Sequence, residues 1–271
     1  MEIELFNACR HGKIEEVKEL LQNPQINLII NWENEDYHRE TPFSIACYFG
    51  HVDIVKLLFN NERVDINKPN AIGQTPFYFA CQLGPIEIVK LLSSDERVDI
   101  NKSSNNGQTP FYGACFFGCI EIVKLLLNDK RIVDIDQTPL YIACQKGQIE
   151  IVKLLLNDNR VDFHKARDGG WTPFYMACQK GHIEIVKLLL NDNRVDINKA
   201  NRDGSTPFHV ACENGLIEIM EYLLAYGRET NLNAKNNEKM AIDFASEQKV
   251  KEKEPWESEE GFQQRITKRL I

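Results

Sequence analysis

Apolar residues along this chain recur in two helical rhythms set back to back. In the stretch from Asn70 to Ser103, Phe77, Ala80 and Cys81 stand at i, i+3 and i+4 and mark one partly small face of a short helix. Ile86, Ile88, Val89, Leu91 and Leu92 mark a second helix, on which Glu87 and Lys90 are spaced to reach each other across one turn. Thr75 suits the N-cap of the first helix, and Pro76 suits the first helical position, where a missing N–H costs nothing. Gly84 is expected to end that helix in the left-handed conformation. Asn70-Ala71-Ile72-Gly73-Gln74 reads as a polar turn before it, and Val98-Asp99-Ile100-Asn101 leads into the next turn. Neither helix can bury its apolar face alone, so such units must stack on neighbours.

The unit returns. Thr41, Thr75, Thr109, Thr138, Thr172 and Thr206 each open a Thr-Pro-Phe or Thr-Pro-Leu phrase, followed by Ala-Cys and then Gly. Their starts lie 34, 34, 29, 34 and 34 residues apart. A period of this size marks a stacked repeat solenoid. Phe6-Asn7-Ala8-Cys9 with Ile14 to Val17 forms a weaker unit before the six, and Lys239 to Ala245 a weaker one after them, so eight units are expected. Terminal units are expected to be atypical because one face meets water.

The phrases Thr-Pro-Phe-Tyr-x-Ala-Cys, Gly181-His182-Ile183-Glu184-Ile185-Val186-Lys187 and Val-Asp-Ile-Asn resemble the ankyrin repeat family across almost the whole chain. The resemblance implies an all-α ankyrin-repeat solenoid of helix-turn-helix units with short β-turn or hairpin fingers. Two departures stand out: only His209 keeps the family histidine after Thr-Pro-x, and the period is longer by one residue. One domain over 1–271 is expected, with an N-terminal capping repeat at about 1–35, six full repeats at about 36–234 and a degenerate repeat plus final helix at about 235–271.

A net charge of −8 argues against general nucleic-acid binding. No apolar run reaches the length of a membrane span, and the acidic start Met1-Glu2-Ile3-Glu4 is unlike a signal peptide. A cytoplasmic monomer is expected, with a nuclear location also compatible. Cys9, Cys47, Cys81, Cys115, Cys144, Cys178 and Cys212 hold one position in successive units and read as small core residues. Cys119 lies where His51 and His182 stand in other units and is the cysteine singled out for reactivity.

Chemistry is sparse. There is no glycine-rich phosphate loop, no Cys-x-x-Cys and no histidine cluster, so no catalytic residue, metal site or cofactor is assigned and an enzyme is not expected. Asn67, Asn101 and Asn198 are expected to stabilise their own turns; the resemblance also implies a possible site of asparagine hydroxylation.

Function is expected where the units differ. In the family, one face of the first helix lines a concave groove. Here that stripe carries Tyr48, Phe49, Phe79, Leu83, Gly113, Phe116 and Phe117 in the first half, then Gln145, Lys146, Gln179 and Lys180. Dense surface aromatics suggest a binding patch; the alternative is that Tyr48, Phe49, Phe116 and Phe117 pack on one another or under the hairpins. Gly113, mid-helix where neighbouring units carry Phe79 and Ile142, reads either as a dent able to take a partner's side chain or as simple drift. On the fingers, Trp32, Tyr37, Arg167 and Trp171 are candidate contacts. The 29-residue interval predicts a truncated hairpin before Thr138, and Phe262, Ile266 and Leu270 predict a final helix. The expected function is non-enzymatic binding of a segment of another protein in the groove and fingertips. The alternative is a structural spacer or assembly subunit held through its termini.

Overall fold

The computed structural model describes residues 1–132, 139–167, 169–225, 230–231, 234–236 and 239–240. The truncated hairpin and the final helix lie outside the described residues. The chain divides into two compact units, Met1–Pro139 and Leu140–Ile271.

In the first unit four helical hairpins follow one another: α1 (Glu2–Arg10) with α2 (Ile14–Leu21), α3 (Pro42–Phe49) with α4 (Val52–Phe59), α5 (Pro76–Leu83) with α6 (Ile86–Ser93), and α7 (Pro110–Phe117) with α8 (Ile120–Leu127). First helices pack on first helices, α1 on α3, α3 on α5 and α5 on α7; second helices do likewise. The second unit holds α9 (Pro139–Lys146) from its second residue on, α10 (Ile149–Leu156), α11 (Pro173–Gln179), α12 (Ile183–Leu190), α13 (Pro207–Glu213) and α14 (Ile217–Ala225). There α11 packs on α13, α10 on α12 and α12 on α14. A two-residue antiparallel pair, β1 (Lys235–Asn236) with β2 (Lys239–Met240), is the only sheet among the described residues. The fold is all-α.

The phrase that opens each unit does what its chemistry dictates. The hydroxyl oxygens of Thr41, Thr75, Thr109, Thr172 and Thr206 accept from the backbone N–H three residues on, and proline fills the first helical turn. Burial makes these caps matter, since an N–H orphaned there could not turn to water. The repeated phenylalanines and the seven in-register cysteines are buried between helices.

Gly84 corrects one expectation. Gly50 and Gly118 cap their helices in the left-handed region, but Gly84 is extended, at φ −76° and ψ 157°. Pro85 is the cause: its ring crowds the preceding residue and favours extended backbone. The helix-face pairs also vary. Glu121–Lys124, Glu150–Lys153 and Glu184–Lys187 close at 2.7–2.9 Å, whereas Glu87 and Lys90 form no ion pair.

The asparagines of the hairpins join units as well as turns. Asn67 Nδ2 donates to the Arg97 carbonyl at 2.6 Å, and Asn67 Oδ1 accepts from the Asp99 N–H at 2.9 Å. Asn31 does the same with Arg63 and Asp65, and Asn101 Nδ2 donates to the Arg131 carbonyl. Each side chain thus satisfies two backbone groups of the next hairpin or one of them.

Candidate functional site

The last turns of α3 and α5 and the two hairpins that precede them enclose a hollow of about 350 Å³. Its walls are Tyr37, Tyr48, Phe49 and Phe79, joined by Ile45 and Ile72; its polar members are His38, Glu40, Asn70, Gln74 and Gln82. Tyr48 meets Phe49 edge-on at 5.0 Å between ring centroids and Phe79 at 5.4 Å. Tyr37 packs on Phe6, and the Arg10 guanidinium lies 4.6 Å from the Tyr37 ring centre and 5.9 Å from that of Phe49.

Glu40 is the carboxylate of the lining. It keeps 7% of its surface. One carboxylate oxygen accepts from Ser44 Oγ and the other from Asn70 Nδ2 at 2.7 Å. Burial pushes its carboxyl up to about 7, against the opposing pull of the Ser44 and Asn70 hydrogen bonds. The Asn70 side-chain oxygen Oδ1 accepts from the N–H groups of Ile72 and Gln74, and Gln82 Oε1 is buried with no hydrogen-bond partner among the described residues.

Neither Glu40 nor Ser44 was singled out from the sequence, though both carry a signal. The residue before Thr-Pro is Gln74, Gln108 or Gln137 in the next three units, and Glu only here. The residue after Thr-Pro-x is Tyr78, Tyr112, Tyr141 or Tyr175, and Ser only here. The regular tyrosine reaches into the next unit, as Tyr78 Oη does to Gln108 Oε1 at 3.3 Å. Ser44 has no ring to send there and turns to Glu40 instead.

The other expected positions fall in several places. Phe116 is half-buried between Tyr112 and Phe117, at 6.2 and 4.9 Å, and Phe117 and Leu83 are exposed. Phe79 is 5% exposed and contributes only to the hollow. Gly113 is buried, and a Cβ built there would lie 3.6 Å from Tyr78 Cζ, so the expected dent is already filled by the Tyr78 ring. Trp32 is half-buried with its ring edge-on to Phe6 at 6.2 Å, part of the packing of the first hairpin. In the second unit Lys146 and Lys180 are exposed at the ends of α9 and α11. Arg167 and Trp171 pair as a β-bridge, with the Arg167 guanidinium 5.7 Å from the Tyr141 ring centre.

Cys119 is half-buried, its Sγ donating to the Gln82 carbonyl at 3.6 Å, and burial raises its thiol above the ordinary value. That is the opposite of an activated thiolate. His51 and His182 bond the same carbonyl of the preceding unit, Arg10 and Gln145, so Cys119 keeps a weak form of a structural link. Among the described residues no three His, Cys, Asp or Glu side chains converge as a metal site, and no helix is long and apolar enough to cross a membrane.

No curated protein sequence matches the chain. The family model described as ankyrin repeats (3 copies) matches it four times, over residues 5–104, 62–137, 96–167 and 140–236. These stretches overlap to cover the helical hairpins of both units, and the chain belongs to the ankyrin repeat family.

Proposed function

We propose that the chain binds a segment of another protein, without catalysis, through the ends of its first helices and the adjoining hairpins. Ankyrin repeats are generally protein–protein interaction modules, which supplies the class. The observation that carries the reading is the exposure of aromatic side chains at the ends of α3 and α7. Phe49 keeps 46% of its surface and Phe117 43%, at positions where later units carry Lys146, Lys180 or Asn214. Such rings leave water on contact, and interfaces draw on them disproportionately. Lys146 and Lys180 of the second unit suit acidic groups. The protein acts as a monomer in the cytoplasm or nucleus, requires no cofactor, and engages neither nucleic acid nor membrane.

The test is affinity capture from cells of the source organism, with the wild type and Phe116→Ala/Phe117→Ala side by side. Loss of a captured protein from the double variant, at unchanged helical circular dichroism, supports the assignment. Equal capture by both removes α7 from the binding surface.

A further inference from the structure

The hollow between α3 and α5 has a chemical bias that its shape alone does not explain. A carboxylate offers about four acceptor positions, and in Glu40 two are taken, both by neutral donors. Among the described residues no lysine or arginine pairs with it. Gln82 Oε1, a buried atom of the lining with no hydrogen-bond partner among the described residues, is also an acceptor. The rest of the lining is the rings of Tyr37, Tyr48, Phe49 and Phe79 together with Ile45, Ile72, His38, Asn70 and Gln74, and aromatic rings attract cations. The Arg10 guanidinium already lies over two of these rings, Tyr37 and Phe49. Acceptors, a buried carboxylate and π faces all call for the same visitor: an apolar stem ending in a positively charged donor.

We propose that this hollow is a socket for one lysine side chain of the bound partner segment, the stem lying along the aromatic walls and the ammonium donating to Glu40. The proposal rests on the protein-binding reading above. Lysine fits better than arginine. A guanidinium fork would need both acceptor positions that remain, one on each Glu40 oxygen, in a single parallel orientation, whereas an ammonium needs only one of them. An ammonium is a point donor that can use the lone pairs left. The volume, about 350 Å³, is at the small end of ligand cavities and suits a single side chain. The net charge of −8 favours approach of a basic segment.

The test uses a random-peptide library selected on the immobilised full chain. The expected result is a lysine shared by the selected peptides. Replacing that lysine with norleucine, which keeps the stem and removes the charge, should weaken binding to the wild type at least tenfold. It should change binding to Glu40→Gln less than twofold. Glu40→Gln installs the residue that the next units carry at that position, and the norleucine comparison on the wild type needs no protein variant. Equal norleucine costs on both proteins, or an arginine or no cation at the shared position, overturn the socket. Peptides that depend on Phe116 and Phe117 but not on Glu40 overturn the socket and leave the protein-binding reading standing. Recovery of no peptide overturns both.

Discussion

The ring of Tyr78 lies over Gly113: a Cβ on the glycine would sit 3.6 Å from the ring's Cζ, at ordinary contact distance. The position of Gly113 is Phe79 one unit earlier, and there the residue at the position of Tyr78 is Ser44. A large residue on one helix thus goes with a small one on the other, in both senses. Gly113→Ala should therefore be tolerated and raise stability by about 1 kcal/mol, because alanine is the better helix former. Gly113→Phe would set two rings in the space of one and should cost roughly 1–3 kcal/mol. Urea denaturation of both variants checks this; equal stability of Gly113→Phe and wild type would show an unfilled dent.

Glu40 ties stability to pH. Folding raises its carboxyl from 4.5 to about 7. Between those values the folded chain holds a proton that the unfolded chain releases. Its contribution to stability thus falls as pH rises through the window, by up to about 3 kcal/mol. Glu40→Gln should be the more stable protein at pH 8 and should lose that advantage near pH 4.5. Denaturation midpoints of the two proteins across this range give the difference directly. A constant gap would show that Glu40 does not titrate there.

The bridging asparagines give a paired prediction. Asn67→Ala removes two hydrogen bonds to the next hairpin and should cost about 1–2 kcal/mol. Val161-Asp162-Phe163-His164 carries histidine where Asn67 and Asn101 stand in earlier units. His164→Asn should let the side chain reach the Arg194 carbonyl and the Asp196 N–H, raising stability by about 1 kcal/mol. Thermal denaturation of the two single variants tests both signs.

The thiols should be slow. Seven cysteines are buried, and burial pushes the Cys9 and Cys212 thiols up to about 12 and raises Cys119 as well. A thiol-disulfide reagent at pH 7.5 should find no rapidly reacting group in the folded protein and all eight cysteines after denaturation. One thiol reacting at the rate of free cysteine would restore Cys119 as a reactive site.

The repeat, the helical hairpins and their caps were legible in the residue order because they are local. Thr75, Pro76 and the spacing of Phe77, Ala80 and Cys81 act within one or two turns, and a period of 34 repeats the same local instruction. Gly84 shows the limit even there, since Pro85 overrode the glycine cap from one residue away.

Contacts between units belong to the tertiary structure. Phe79 and Gly113 stand on the stripe that should face a groove, but stacking places one in the wall of a hollow and the other under Tyr78. Asn67 reads as a turn residue, yet its partners lie thirty and thirty-two residues on. Glu40 differs from its counterparts by one substitution in the sequence. Only packing shows that its carboxyl is buried between two hairpins beside four aromatic rings. A helix-forming pattern reports what a residue does to its own backbone. What a side chain meets across a stack depends on the side chain opposite, and that is decided when the units close on one another and exclude water.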